Sequence, residues 1–215
     1  AKITTLRPKD YSEARTIGLT AAVYGWNDPT GILVADRGWT LSDWYSGLID
    51  RPRLPDAYAR SRRLPPPQRT WEYLEIDNRP GWYAGASWDE TGLGHFEVLR
   101  YNNEADPRAT RYQVAWRTDF WSAGARTSVG NVTLLAQALT GETLIQPSAS
   151  FYSDTDFESA YMLAGWDMGD WRFAGRFDVF ATNESHPGSS VRLSEHGHAV
   201  TAAANWFPYD WLRLT

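Results

Sequence analysis

From residue 171 to 180 the chain reads Trp-Arg-Phe-Ala-Gly-Arg-Phe-Asp-Val-Phe, and this run constrains the fold more than any other. In an extended strand successive side chains point to opposite faces. Trp171, Phe173, Gly175, Phe177 and Val179 therefore share one face, and Arg172, Ala174, Arg176, Asp178 and Phe180 share the other. One face is bulky and aromatic, while the other carries full charges of both signs. A strand of a soluble sandwich has the same period of two, so the repetition of the pattern along the chain has to decide.

The pattern predicts strands over 16–26, 81–88, 95–101, 111–121, 131–141, 157–166, 171–180 and 195–206, and the start of a ninth at 211–215. In 16–26, Ile17, Leu19, Ala21 and Val23 share a face. In 111–121, Tyr112, Val114, Trp116, Thr118 and Phe120 oppose Gln113, Ala115, Arg117, Asp119 and Trp121. In 195–206, His198, Val200, Ala202, Ala204 and Trp206 share a face. Short turns are expected at 90–94, 122–130, 167–170 and 207–210, and long or polar links at 27–80, 102–108, 142–155 and 183–194. Short and long links thus alternate. A meander of tilted strands gives this layout, with tight turns at one end and loops at the other, as in outer-membrane barrels. Strands of about 9–11 residues suffice to cross a bilayer, whereas sandwich strands usually run to about 5–6.

The expected fold class is therefore all-β: an antiparallel up-and-down meander of about nine or more strands, forming a transmembrane β-barrel, complete or incomplete. Residues 1–215 form one barrel domain or part of one, with a long Pro/Arg-rich loop at about 27–80. That loop holds Arg51-Pro52-Arg53-Leu54-Pro55, then Arg60, Arg62, Arg63 and a proline triplet at 65–67. It is expected to be a solvated external loop, with an inward-folded constriction as the alternative. Residues 1–15 suggest no element, and 32–43 a short strand or helix. The chain ends inside an apparent strand, so a processed chain or a piece of a longer one is expected.

Composition narrows the function. A net charge of −5 offers no basic field for nucleic acid. No run of about 18 apolar residues exists, so no membrane helix is expected. With no cysteine, disulfides and thiolate chemistry are excluded. Twelve Trp, 11 Tyr and 8 Phe are many for 215 residues. Aromatic excess suits a large core, sugar-stacking platforms or girdles at a membrane interface.

Four stretches together resemble a known family: Tyr112 to Trp121 (YQVAWRTDFW), Leu135 to Thr143 (LAQALTGET), Gly175 to Phe180 (GRFDVF), and Glu195 to Thr201 (EHGHAVT) running into Asn205-Trp206-Phe207-Pro208. They are similar to porin-like outer-membrane proteins of Gram-negative bacteria, nearest the phosphate-selective type. The resemblance spans about residues 16–215 and rests on strand patterns. It implies a passive channel in the bacterial outer membrane, with lipid and small hydrophilic or anionic solutes as partners, a possible homotrimer and no cofactor. Two features depart from the family: nine strands is an odd count, and no terminal strand ends in an aromatic residue. The chain also has no lysine cluster to support phosphate specificity.

If the aromatic face meets lipid, the other face lines a lumen. The pore-lining candidates are Gln113, Arg117, Asp119, Gln137, Arg172, Arg176, Asp178, Asn205 and Arg213, with Thr133 and Thr201 beside them. Arg117, Arg172, Arg176 and Arg213 form a basic ladder on this reading, giving a weak anion preference. The plain alternative is a set of cross-strand salt bridges that stiffen the wall. Arg60, Arg62 and Arg63 are the constriction-loop candidates. His196 and His198 share a face without an evident third ligand, and Asn102, Asn103, Glu104 and Asp106 lack the spacing of a calcium loop. No metal site is therefore expected, and Asn102 to Asp106 reads as a solvated turn. No catalytic pair, nucleophile elbow or phosphate loop stands out, so an enzyme is not expected. Two other readings stay open: a soluble carbohydrate-binding β-sandwich using Trp82, Trp88, Trp116 and Trp121, and a structural outer-membrane barrel with a plugged lumen.

Overall fold

The computed structural model describes residues 3–5, 15–33, 51–54, 69–186, 193–209 and 212–215. Ten strands form one antiparallel sheet in chain order: β1 (Ile3–Thr5), β2 (Arg15–Tyr24), β3 (Gly81–Glu90), β4 (Gly94–Asn102), β7 (Arg117–Val129), β8 (Val132–Ser148), β9 (Phe151–Met168), β10 (Trp171–Ser185), β11 (Leu193–Tyr209) and β12 (Leu212–Leu214). Two two-residue strands, β5 (Thr110–Arg111) and β6 (Gln113–Val114), pair with each other in a loop. The protein is all-β, an up-and-down meander with β1 and β12 at its edges. Among the described residues the long strands all belong to this one sheet.

Burial in β9 alternates residue by residue. Ser153, Thr155 and Phe157 are buried, while Met162, Trp166 and Met168 are exposed. Cross-strand partners share a face, so the register carries this division across the sheet. Phe177 pairs with Met162 and Val200, Met162 with Ala136, Ala136 with Ala125, Ala125 with Phe96, Phe96 with Trp88, and Trp88 with Ile17. We call this the outer face. The inner face carries Arg172, Arg176, Asp178 and Phe180 on β10 and Tyr161 and Phe157 on β9.

The polarity of the two faces is inverted relative to a water-soluble protein. Phe177 is 49% exposed, Met162 70% and Val200 77%, while Asp178 on the inner face is 4% exposed. From the row of Trp171 to the row of Val179 no Asp, Glu, Lys or Arg lies on the outer face of β4 or β7–β11; on β2 and β3 the interval holds one ion pair, Arg15 Nε to Glu90 at 3.0 Å. That interval rises about 26 Å along the strand, or about 20 Å once tilted, close to the ~25 Å apolar band of an outer-membrane barrel. Tryptophans flank the band. Trp171 stacks on Trp206 at 5.9 Å near the short turns, and Trp82 and Trp121 stand toward the loops.

The strands outrun the sequence pattern. The expected turn at 122–130 is strand: Ser122, Gly124, Arg126 and Ser128 face inward, Ala123, Ala125 and Val129 outward, and the turn is only 130–131. The expected polar loop at 142–155 is the far end of the β8–β9 hairpin, turning at 149–150. Residues 207–209 continue β11. The turn at 169–170 is where it was expected, and Gly169 supplies its left-handed backbone, φ 58°. The expected strand at 111–121 folds back on itself. Tyr112, φ 64°, is the tip of the β5–β6 hairpin, and the long strand starts only at Arg117. Of 32–43, residues 31–33 form one helical turn and 34–43 lie outside the described residues.

The buried core lies at the loop end rather than mid-sheet. Ile32, Leu33 and Leu54 from the β2–β3 connection pack with Trp116 against Ile145 on the inner face of β8. Ile76, Ala105 and Ala115 form a second cluster beside them. The described ends of the Pro/Arg-rich loop are therefore only partly solvated: Pro52, Leu54 and Thr70 are buried, while Arg51, Arg53 and Arg69 are exposed. Apolar side chains at both ends of this segment find cover only by folding onto the sheet, and they form a cap over its inner face.

Candidate functional site

The inner face divides into layers. Nearest the short turns, Arg172 and Asp167 face each other on β10 and β9 and form a bidentate pair, Nη2 to Oδ2 3.0 Å. Farther in, Arg176 donates to Asp178 from Nε at 2.8 Å and from Nη2 at 2.6 Å. Its guanidinium lies 3.9 Å from the centre of the Tyr161 ring. In the same two rows stand Asp89, His95, Glu97, Arg126 and Gln137, and His95 Nδ1 is 2.7 Å from Asp89. Gln137 donates to Ser122 Oγ at 3.0 Å. This is a polar wall made of cross-strand pairs.

Above it the wall turns aromatic. Tyr24, Tyr101 and Phe120 stack in sequence, with centroids 5.5 and 4.6 Å apart, and Phe157 follows at 6.5 Å. Gly141 lies between Phe120 and Phe157 in the register, and a Cβ there would meet the Phe120 Cβ at 2.5 Å. Over this row sits the cap. Asn103 is fully buried and holds it in place: Nδ2 donates to Trp116 O at 2.7 Å, and Oδ1 accepts from Thr118 N at 2.8 Å. Asn102 to Asp106 is thus a clasp anchored by buried Asn103 and Ala105, with Glu104 exposed, rather than a wholly solvated turn, and sequence spacing gave no sign of its partners.

At the edge of the cap, three carboxylates converge. Asp28 is fully buried; Glu75 and Asp77 are half-buried; and one oxygen from each lies within 4.8 Å of the others. Asp28 Oδ2 accepts from the Ile76 amide at 2.6 Å. Burial, reinforced by the nearby charges of Asp77 and Glu75, raises its pKa to about 6 against that amide's opposing effect.

Several candidates fall elsewhere than expected. Arg117 and Asp119 are on the outer face, because Thr118 and Phe120 turn inward beneath the cap. There Arg100 binds Asp119 at 2.7 Å and Arg117 approaches Glu142 at 3.5 Å, just beyond the apolar band. Gln113 lines no wall. Its amide brackets the Trp71 backbone, accepting from N at 3.0 Å and donating to O at 2.9 Å, which pins the β5–β6 hairpin to the loop. Gln137, Arg172, Arg176, Asp178 and Asn205 are on the inner face; Arg213 lies beside Leu214, whose partner Trp206 faces outward, so its parity is inward. Thr133 and Thr201 also face inward. Arg60, Arg62 and Arg63 lie outside the described residues. Trp82, Trp88 and Trp121 face outward and Trp116 is buried. The chain matches no protein-family model, no curated protein and no solved structure.

Proposed function

We propose that this chain is all or part of a transmembrane β-barrel of the porin type, placed in a bacterial outer membrane and passing small hydrophilic solutes by diffusion. The observation that carries the reading is the inverted polarity: an apolar outer face, uncharged across the band from β4 to β11, against a polar inner one. In water that face is a large aggregation liability, and in lipid it is the required surface. Charged side chains facing inward would meet a solute path.

The arginine ladder read from the sequence implied anions, but the arrangement of charge supports a different preference. Arg172 and Arg176 are each matched by a carboxylate. Described inner-face strand residues further include Asp89, Glu97, Glu184 and Glu195 against Arg126 and Arg213. A small cation preference fits this excess of acid. Planar-bilayer conductance under a salt gradient tests both points. The expected result is stepwise openings with a cation-leaning reversal potential. Arg172→Glu should push that potential further toward cations, and Asp167→Asn should move it back.

A second reading is a barrel whose lumen is closed by its own loops. The cap favours it, since Leu54 and Trp116 pack against Ile145 on the inner face. Correctly folded protein without conductance would overturn the open channel and leave this one.

A further inference from the structure

The carboxylate junction is not used by the proposed channel. Its residues come from the two ends of the long β2–β3 connection, Asp28 at the start and Glu75 and Asp77 at the close. Most of their oxygens are spoken for. Glu75 Oε2 accepts from Trp26 N at 3.0 Å and Oε1 from Asn78 N at 2.8 Å. Asp77 Oδ1 accepts from Arg79 N at 2.9 Å, and Oδ2 from Asp106 N. Asp28 Oδ2 takes the Ile76 amide at 2.6 Å. The exception is Asp28 Oδ1, which is buried and has no hydrogen-bond partner, on a side chain with no exposed surface. An ionised carboxylate oxygen can only accept, so a buried one without a donor calls for a proton or a cation.

The charges around it favour the cation. Asp28, Glu75, Asp77 and Asp106 meet here, and among the described residues the ion pair within reach is Arg79, whose Nε is 3.9 Å from Asp77 and whose Nη2 is 3.1 Å from Asp106. We propose that Asp28, Glu75 and Asp77 bind a hard divalent cation of the calcium type that ties the two ends of the β2–β3 connection together under the cap. All three donors are carboxylate oxygens, which suits calcium or magnesium and not zinc. Oxygens up to 4.8 Å apart can be bridged by an ion with bonds of about 2.3–2.6 Å, while magnesium, at about 2.0–2.1 Å, would require them to draw closer. Asp28 O also accepts from Trp116 N at 2.8 Å, so a bound ion would brace the cap core directly.

The test is calorimetric titration of calcium chloride into the full chain, stripped of metal and held in the medium that keeps it monodisperse, with thermal melts alongside. The expected result is one saturable site with a dissociation constant of about 10⁻⁴–10⁻³ M, the range of extracellular calcium modules, and weaker magnesium binding. Melting temperature should rise with calcium. Glu75→Gln and Asp28→Asn should each weaken binding by tenfold or more on the order-of-magnitude scale of ligand loss, and Asp154→Asn, in a separate acidic cluster, should leave it unchanged. Absence of saturable binding and of a melting shift in the unmodified chain overturns the proposal and assigns the junction to a protonated Asp28. Equal loss of binding in Asp154→Asn overturns it as well.

Discussion

Phe177→Arg should destabilise the chain folded into phospholipid vesicles by about 2–4 kcal/mol, the cost of an arginine near the midplane on the lipid side of a barrel. Phe177 lies inside the apolar band, paired with Met162 on one side and Val200 on the other, and all three are exposed. The size and sign of the effect are diagnostic. At an exposed site of a water-soluble protein the same change would fall within about ±0.5 kcal/mol and would improve solubility. Ala174→Arg, three positions earlier on the inner face, is the control, because an arginine there joins a wall that already holds Arg172 and Arg176. Urea titration of vesicle-folded protein, followed by tryptophan fluorescence, gives both values. A neutral Phe177→Arg would remove the membrane from the reading of this sheet.

The period of two made much of the sheet legible. In 16–26, 131–141, 171–180 and 195–206 the residues that share a face in sequence share it in the fold. Legibility failed where the physical cause of burial changed. Ser122 to Val129 looks like a turn because Ser and Gly favour turns, yet its small residues keep the alternation and continue β7. Residues 142–155 look like a polar loop because the inner face there is polar under the cap: Thr143 bonds Thr118 hydroxyl to hydroxyl at 2.8 Å, and Ser153 donates to Glu184 at 2.6 Å. The alternation puts Arg117 and Asp119 in the lumen only if the aromatic face of their strand meets lipid. In β7 that premise inverts, because Phe120 belongs to the inward aromatic row and Trp116 to the cap core. The carboxylate junction had no sequence signal at all. Asp28 and Glu75 are brought together by a long connection whose return path no local pattern encodes.

Trp116→Ala should cost the cap about 3 kcal/mol, toward the lower end of the 3–5 kcal/mol usual for removing a buried large aromatic. Trp116 is 2% exposed and fills the space between Ile32, Leu33, Leu54 and Ile145, so its removal opens a cavity that four side chains from three segments must close. What lowers the cost is the indole itself: Nε1 is buried without a hydrogen-bond partner, and deleting it relieves that penalty. Trp116→Phe isolates the two effects. It keeps most of the ring, discards the orphan N–H and should cost under about 1.5 kcal/mol, as volume-conserving swaps do. The backbone bonds of residue 116, from its N to Asp28 O at 2.8 Å and to its O from Asn103 at 2.7 Å, survive either change. Loss should therefore be concentrated in the cap, because the ladder from β7 to β11 meets the Trp116 cluster only at its loop end, through Ile145 and Phe151. Hydrogen exchange of the 27–33 and 69–77 amides should accelerate in Trp116→Ala while exchange in β9 and β10 stays slow. Conductance measured on the same variant then reads the cap's role. A larger single-channel step means that the cap narrows an open lumen; openings in a chain otherwise silent mean that it seals one.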